Sequence, residues 1–569
     1  MVVAAVLIQV IGAACTGGGG AVDQPPGQLP PIGQGVPTLG AEQWPQCLNP
    51  LTSCSEDRWA HYTVLQPVLP KLMWIDRRGN VVASPLLSEA PTLQNGGLTT
   101  NPFTITYQLN PKAGWDDGTP ITSSDVEFTW KAILHTKGSI RRSGYRLIQS
   151  IDASDPRIAR IVFKAPYADW YDLMGGAGVN GYVLKKAAFP KADPEKPNLL
   201  HDMNVSFPFS GGPWKLVSWT KNQEVLVRNP RYWGHHPLLD QVTFVPQEEH
   251  PRDVEALLKG QVDALFRWAG PDNVTSELKS PNVQVVAGST NYANAFWFNF
   301  RYGVFRDPKV REAFAYAVDR QAIIDQIVRR TYPHAQVLNC PPPLYVSIDS
   351  WCNGEIESEL GRYTYDPAMS ISILESDGYE CSKVPAHPCT RYGHRLRVAS
   401  FSPQGIHDRE ISLLMQNRIK AAGFEFVLAV MEGTPISVSP AHVPRNPFEM
   451  GEFTTGGTVD PSPTQFSYLC DQIPTKATRQ MGANTIGYCN PQLDAIMREA
   501  DQEVDPARRH QLITHVFTQL DRDLVVLPLF TQAVITAWRR DKLGGPIGKW
   551  NSSPYGVFWN MDYWYLVTA

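Results

Sequence analysis

The sequence predicts an α/β protein built from two or three domains, and three observations carry that expectation. The chain has 569 residues, more than a single hydrophobic core organises. From Phe103 to Ala132 an alternating strand pattern passes through a turn into a capped helix. From Leu396 to Leu428 strand, helix and strand patterns follow one another, the order that builds a mostly parallel sheet. Apolar residues are 43% and charged residues 19%, a globular balance rather than a disordered or membrane-embedded one. The formal net charge of −4 supplies no basic field to attract nucleic acid.

Taken in order, the chain opens on an apolar run, Met1 to Ala14. It is too short to span a bilayer and suits the hydrophobic part of a signal peptide. Gly12-Ala13-Ala14-Cys15, followed by a glycine run, resembles a bacterial lipobox, with Gly12 where Leu is usual. On that reading residues 1–15 are signal peptide and lipobox, and Cys15 carries the lipid that attaches the mature chain to a membrane. Residues 16–42 are rich in Gly, Pro and Gln and read as a flexible tether.

Folded sequence is expected from residue 43. Arg58 to Leu65, including Tyr62 and Thr63, reads as a strand. Phe103 to Leu109 alternates as a half-buried strand does. Asp117-Gly118 makes a tight turn, and Thr122 with Asp125 forms a capping box for a helix with Val126, Phe128, Trp130 and Ile133. Arg157 to Phe163 is a further strand. Gly176, Gly178 and Gly181 match a dinucleotide fingerprint by letters, but no βαβ unit frames them, so a glycine-rich loop is expected. Strands at Trp214–Trp219 and Val225–Arg228 flank a turn, and Asn229-Pro230 breaks the second. Val242–Val245 is a strand and 251–259 a helix. Ala293 to Asn299 reads as a buried strand. Asp307 caps a helix with Pro308 at its first position and a stripe of Val310, Phe314, Ala317 and Ile324. Arg311 reads either as a site cation or as a structural residue. Asp366-Pro367 opens another capped helix, and Val525–Phe530 is a late apolar strand.

Nine cysteines are present, and eight fall into sequence-local pairs. Locality favours Cys47–Cys54, Cys340–Cys352, Cys381–Cys389 and Cys470–Cys489 among about 105 connectivities. The spacing contains no C-x-x-C, and no metal site is expected. Disulfides imply an oxidising, extracytoplasmic compartment.

Several runs carry a family resemblance: Trp115 to Ala132 (WDDGTPITSSDVEFTWKA), Ser210 to Gly234 (containing GGPWKLVSW and VRNPRYWG), and Phe305 to Arg320 (FRDPKVREAFAYAVDR). Together they resemble the family 5 extracellular solute-binding proteins, the peptide-type binding components of ABC importers. The resemblance covers nearly all of residues 58–569. It implies a two-lobed periplasmic-binding-protein-like α/β fold of the class II, cluster C type, with an extra subdomain in lobe one. Lobe one would span 43–290, with the subdomain at about 76–208. Lobe two would span 291–526, and 527–569 would return to lobe one. The implied function is a monomeric, non-catalytic lipoprotein on the outer face of the cytoplasmic membrane. It would capture di- to oligopeptides between the lobes and deliver them to the permease.

In peptide-binding relatives a lobe-two loop presents an Asp to the ligand's ammonium, a carboxylate–cation pair in a dry cleft. The matching loop here is Glu452 to Ser462, and aligning Asp460-Pro461 puts Gly457 where the anchor belongs. Asp460 either takes over as anchor or caps the turn before Pro461. Thr454, Thr455, Gly456 and Gly457 would hold a peptide main chain through hydroxyls and amides. Asn294 and Trp297, beside the crossing strand, and Tyr62 and Thr63, in the opening strand, are further candidates for ligand contact. Trp214 is expected in the core. Haem, a nickel chelate or an oligosaccharide are alternative ligands. No cofactor is implied, and haem would enter as cargo. An extracellular hydrolase is the reading from another class, but no nucleophile elbow or H-E-x-x-H is present. His510 and His515 share a helix at a spacing poor for a metal.

Overall fold

The computed structural model describes residues 35–568, apart from 57, 140–141, 177–180, 248–251, 269–277, 342–350, 403–405, 431–448, 457–459, 463–466, 476–481 and 551–552. The signal peptide, Cys15 and most of the tether lie outside the described residues.

A mixed ten-stranded sheet runs through the molecule. Its strands, in chain order, are β1 (Thr38–Ala41), β2 (Trp214–Trp219), β3 (Glu224–Arg228), β4 (Gln241–Pro246) and β5 (Ala264–Trp268). They continue as β6 (Val283–Phe298), β7 (Arg397–Ser402), β8 (Glu425–Val430), β9 (Met450–Gly456) and β10 (Val526–Arg539). The spatial order is β8-β7-β9-β6-β10-β5-β1-β4-β3-β2. Lobe one owns one end of this sheet and lobe two the other, and the long antiparallel pair β6–β10 joins them. The expected alternation in lobe two is present: β7 pairs in parallel with both β8 and β9. Parallel neighbours need a long crossover, and Ile406–Ala421 supplies the helix between β7 and β8.

The tether is shorter than its composition suggests. Thr38–Ala41 pairs in parallel with β4 and β5, so residues 38–42 belong to the fold. A short apolar stretch beside glycine is too weak a periodic signal to show this. The run 58–65 is corrected outright: Arg58–Ala60 is α-helical and His61–Leu65 is one π-helical turn. All five residues of that turn are buried, and a run buried on every side has no helical period to read.

The extra subdomain is a four-stranded antiparallel sheet, Leu98–Thr100, Phe103–Gln108, Ile158–Phe163 and Ile148–Asp152, in the order of pairing. Helix α1 (Ser123–His135) belongs to it. The capping box forms, with the Thr122 amide donating to Asp125 Oδ2 at 2.8 Å. The Lys186 amide donates to the other carboxylate oxygen at 2.8 Å, so one side chain caps a helix and pins a distant loop. Gly118 takes φ +89°, a conformation that favours glycine at this turn.

Helix α2 (Pro308–Ala317) is capped by Asp307, which accepts from the Lys309 amide at 2.9 Å. Arg311 is structural: it donates to Phe305 O at 2.7 Å and Asp523 O at 3.0 Å. Trp214 is 1% exposed. At the C-terminal end Phe558 packs on Trp59, Phe244 and Phe266.

All four expected disulfides are present. Cys470–Cys489 has the longest sequence separation, 19 residues. A loop of that size restricts the unfolded chain by about 3 kcal/mol. The double substitution Cys470→Ser/Cys489→Ser is therefore expected to lower stability by about that amount. Differential scanning calorimetry of lobe-two unfolding under non-reducing conditions would check it.

Candidate functional site

The hinge is written into the register of β6 against β10. Pairing is regular from Val283–Arg539 to Ser289–Ala533, then shifts before Ala293–Thr531 and again after Asn294–Phe530. Such bulges bend and twist a strand locally. On the lobe-one side of the bend β10 pairs with β5 through Val534–Trp538. On the lobe-two side β6 pairs with β9 through Tyr292–Phe298. Thr290 Oγ1 spans the irregularity, donating to Gln532 O at 3.0 Å and accepting from the Tyr292 amide at 3.1 Å.

A polar chain lies across these strands just inside lobe two. Gln532 Nε2 donates to Thr454 Oγ1 at 3.0 Å. Thr454 Oγ1 donates to Asn294 Oδ1 at 3.2 Å, and Asn294 Nδ2 donates to Glu452 Oε1 at 3.2 Å. Asn294 is 2% exposed and its amide is occupied by these partners, so it holds the strands together. Thr454 is exposed and Thr455 half-buried. The pairing of β9 with β7 includes Gly451, while its pairing with β6 continues to Gly456. Among the described residues, the end of β9 at Thr454–Gly456 thus has no pairing with its parallel neighbour. Gly457 lies outside the described residues.

The remaining sequence candidates fall elsewhere. Trp297 points with Ala293 and Ala295 into a lobe-two core, its ring stacked on Tyr468 at 6.5 Å. Its indole Nε1 is buried and meets no acceptor among the described residues. Tyr62 and Thr63 sit in the π-helical turn, not in a strand. Tyr62 is 9% exposed, and Thr63 Oγ1 lies 2.9 Å from Glu224 Oε2 and 2.8 Å from Trp59 O. The placement of Thr63 is structural.

Asp460 is corrected most. Its carboxylate receives both terminal nitrogens of Arg509, at 2.5 and 2.6 Å. The Tyr171 hydroxyl donates to Oδ2 at 2.6 Å, and the Ser462 amide to Oδ1 at 2.8 Å. The last bond is the turn cap. Burial alone would raise this carboxyl, but the Arg509 guanidinium outweighs it and holds the group below its usual range. A carboxylate bound in this way is not a vacant anchor for a ligand ammonium. Tyr171 belongs to lobe one and Asp460 and Arg509 to lobe two, so the group closes the seam between the lobes. The Ala168 amide adds a bond to Asp501 O at 2.8 Å across the same seam. Asp501 is pushed up to about 6, chiefly by burial. Burial, then the Asp460 and Asp172 charges, raise Asp169.

Sequence reading passed over Arg509 and Tyr171. The signal for Arg509 is its place on the apolar stripe of α3 (Pro506–Arg522), where it stands with Ile513, Val516 and Leu520 among the buried positions. A charge on a buried stripe needs a partner. Tyr171 carries no such mark, because its partner is 289 residues away. His510 and His515 share this helix, and among the described residues no group of three or more His, Cys, Asp or Glu is placed to hold a metal.

The sequence profile of the bacterial extracellular solute-binding proteins, family 5 (middle), matches residues 89–475. The chain belongs to this family. It is 24% identical over 448 residues to the oligopeptide-binding protein OppA of Mycobacterium tuberculosis, covering 76% of this chain and 69% of that protein. Its fold is similar to the periplasmic EDTA-binding protein EppA, with a TM-score of 0.78 and 17% identity, over 95% of this chain and 98% of that one. It is also similar to the oligopeptide-binding protein AppA of Bacillus subtilis, solved with a nonapeptide. There the TM-score is 0.69 and the identity 19%, over 95% of this chain and 100% of that one. The α/β fold of the periplasmic solute-binding proteins, expected from sequence, is therefore shown. The chain is an ABC-importer substrate-binding protein of family 5, a receptor family rather than an enzyme family. Its place is extracytoplasmic, and its partners are a solute and a permease. No helix among the described residues is long and apolar enough to cross a membrane.

Proposed function

We propose that this receptor captures di- to oligopeptides between its lobes and hands them to the permease. One observation carries the reading: among the described residues the end of β9, Thr454–Gly456, extends beyond its pairing with β7. An extended peptide main chain adds naturally to such an edge, and main-chain bonding tolerates varied side chains. The name of the mycobacterial relative supports the same class. Thr454, Thr455, Gly456 and Gly457 are the proposed main-chain contacts. The chain acts as a monomer attached through a lipid on Cys15. Haem remains a rival cargo without a residue to favour it.

A small solute rich in carboxylates is the second reading. Asp460 is engaged by Arg509 and Tyr171, so this carboxylate is not free to take an ammonium. The name of EppA gives a carboxylate-rich ligand for a protein of this fold.

Native mass spectrometry of the purified protein distinguishes these readings. The expected result is a set of bound peptide masses that disappears on denaturation. A single chelate mass, or a Soret band on titration with micromolar haem, would overturn peptide capture.

A further inference from the structure

Lys71 carries a buried amine that no carboxylate among the described residues pairs with directly. It is 3% exposed and lies in the apolar run from Val68 to Trp74. Its Nζ donates to Gly176 O at 3.1 Å. The faces of Tyr182 and Tyr555 lie 4.7 and 5.3 Å away, measured to the ring centres. Among the described residues no acidic side chain forms an ion pair with it. Other buried cations here are treated differently. Lys185, Arg267 and Arg509 each pair with an Asp. Arg320, which lacks one, is surrounded by the oxygens of Leu338, Asn339, Leu360, Tyr363 and Pro528. An ammonium has three donors, and among the described residues Lys71 has a single oxygen acceptor. Burial pushes it down to about 7, against a smaller upward pull from Asp172.

Its position gives the deficit a meaning. Gly176 and Asp172 belong to the same lobe-one turn as Tyr171, whose hydroxyl reaches Asp460 across the seam. The backbone ties Lys71 to that turn: the Leu72 amide donates to Met174 O, and the Gly176 amide to Met73 O, both at 2.8 Å. The ammonium is therefore tied to the turn from which Tyr171 reaches lobe two. A buried charge without a counter-ion is costly unless something else supplies one, and perturbed titratable groups gather at functional sites for this reason.

We propose that Lys71 is a carboxylate-binding group on the lobe-one wall of the cleft, pairing with an anionic end of the captured solute. The carboxylate comes either from the C-terminus of a peptide or from a carboxylate chelate. This rests on solute capture between the lobes, as proposed above, and it adds which end of the solute lobe one selects.

Calorimetric titration of wild type, Lys71→Met and Lys71→Arg tests it. The probes are trialanine and penta-alanine, each as free acid and as C-terminal amide, and Fe(III)-EDTA. Wild type should bind at least one free acid or the chelate, with the amides at least tenfold weaker. Lys71→Met should lose tenfold or more for the carboxylate probes while the amides are unchanged, and Lys71→Arg should restore part of the loss. At pH 8 wild type should take up close to one proton per carboxylate bound, read from buffers of different ionisation enthalpy. Lys71→Met should abolish that uptake. Asp172, Tyr182 and Tyr555 act on it, His61 bonds Tyr182, and all are retained in the variant. An unshifted melting temperature for Lys71→Met keeps a folding failure apart from a binding failure. Equal binding of acid and amide by wild type and Lys71→Met overturns the proposal and leaves peptide capture standing. Binding of the chelate alone, sensitive to Lys71, sustains the proposal and overturns peptide capture. No binding of any carboxylate probe to wild type overturns both.

Discussion

Arg509→Met is expected to open the receptor and weaken its solute affinity about a hundredfold. The side chain satisfies Asp460 twice, Ser462 Oγ at 2.7 Å and Ala500 O at 3.1 Å. Removing one partner of a buried pair costs about 3–5 kcal/mol, because it strands the other charge. In an open form Asp460 regains water, so the protein escapes most of that penalty by separating its lobes. An apparent dissociation constant scales inversely with the fraction of competent closed form. A shift of about 3 kcal/mol is then roughly a hundredfold. Small-angle scattering of the ligand-loaded variant should show a larger radius of gyration than wild type. Tyr171→Phe is the cleaner companion, since it removes a donor to the lobe-two carboxylate without touching lobe two. It should cost about 1–2 kcal/mol, or roughly tenfold in affinity, with the lobe-two melting transition unchanged. A normal radius and normal affinity in both variants would show that the seam contributes nothing to closure.

The second large effect is on lobe-one stability, through Glu224. This side chain is fully buried and is pushed up to about 8 by burial, against a hydrogen bond from Thr63. A protonated Glu224 fits its surroundings: Thr63 Oγ1 donates to Oε2 at 2.9 Å, and the buried Oε1 meets no partner among the described residues. The sign follows from linkage. The folded state holds this proton up to about pH 8, whereas an unfolded Glu releases it near pH 4.3. Stability is therefore unaffected by this group below the unfolded value and falls as pH rises through the interval. The full loss is on the order of 4–5 kcal/mol. Glu224→Gln keeps the shape and cannot ionise, so it should match wild type near pH 4 and melt several degrees higher at pH 8.5. A constant gap between the two proteins across that range would show that Glu224 does not titrate as described.

Both effects turn on contacts of long sequence separation. Thr63 and Glu224 are 161 residues apart, and Tyr171 and Asp460 are 289 apart. Local chemistry, by contrast, was open to reading. The caps at Thr122, Asp307 and Asp366 stand as the residue order indicates. So do the four short-range disulfides and the parallel arrangement of lobe two. The run 58–65 failed because burial on every side removes periodicity. Asp460 was correctly singled out as a residue with a task, yet its partner could not be named.

What the sequence by itself determined is therefore the family, the two-lobed α/β plan and the local stops and starts of its helices. These rest on neighbouring residues, whose spacing sets their geometry. The tertiary structure alone decided which charges are taken and which are left over. Asp460 and Lys71 each stand in the sequence as a single charge among apolar or turn residues, and only Asp460 lies in a run with a family match. The fold brings Arg509 to the first, while among the described residues no carboxylate forms an ion pair with the second. A buried charge is defined by what surrounds it in space, and chain order does not carry that information.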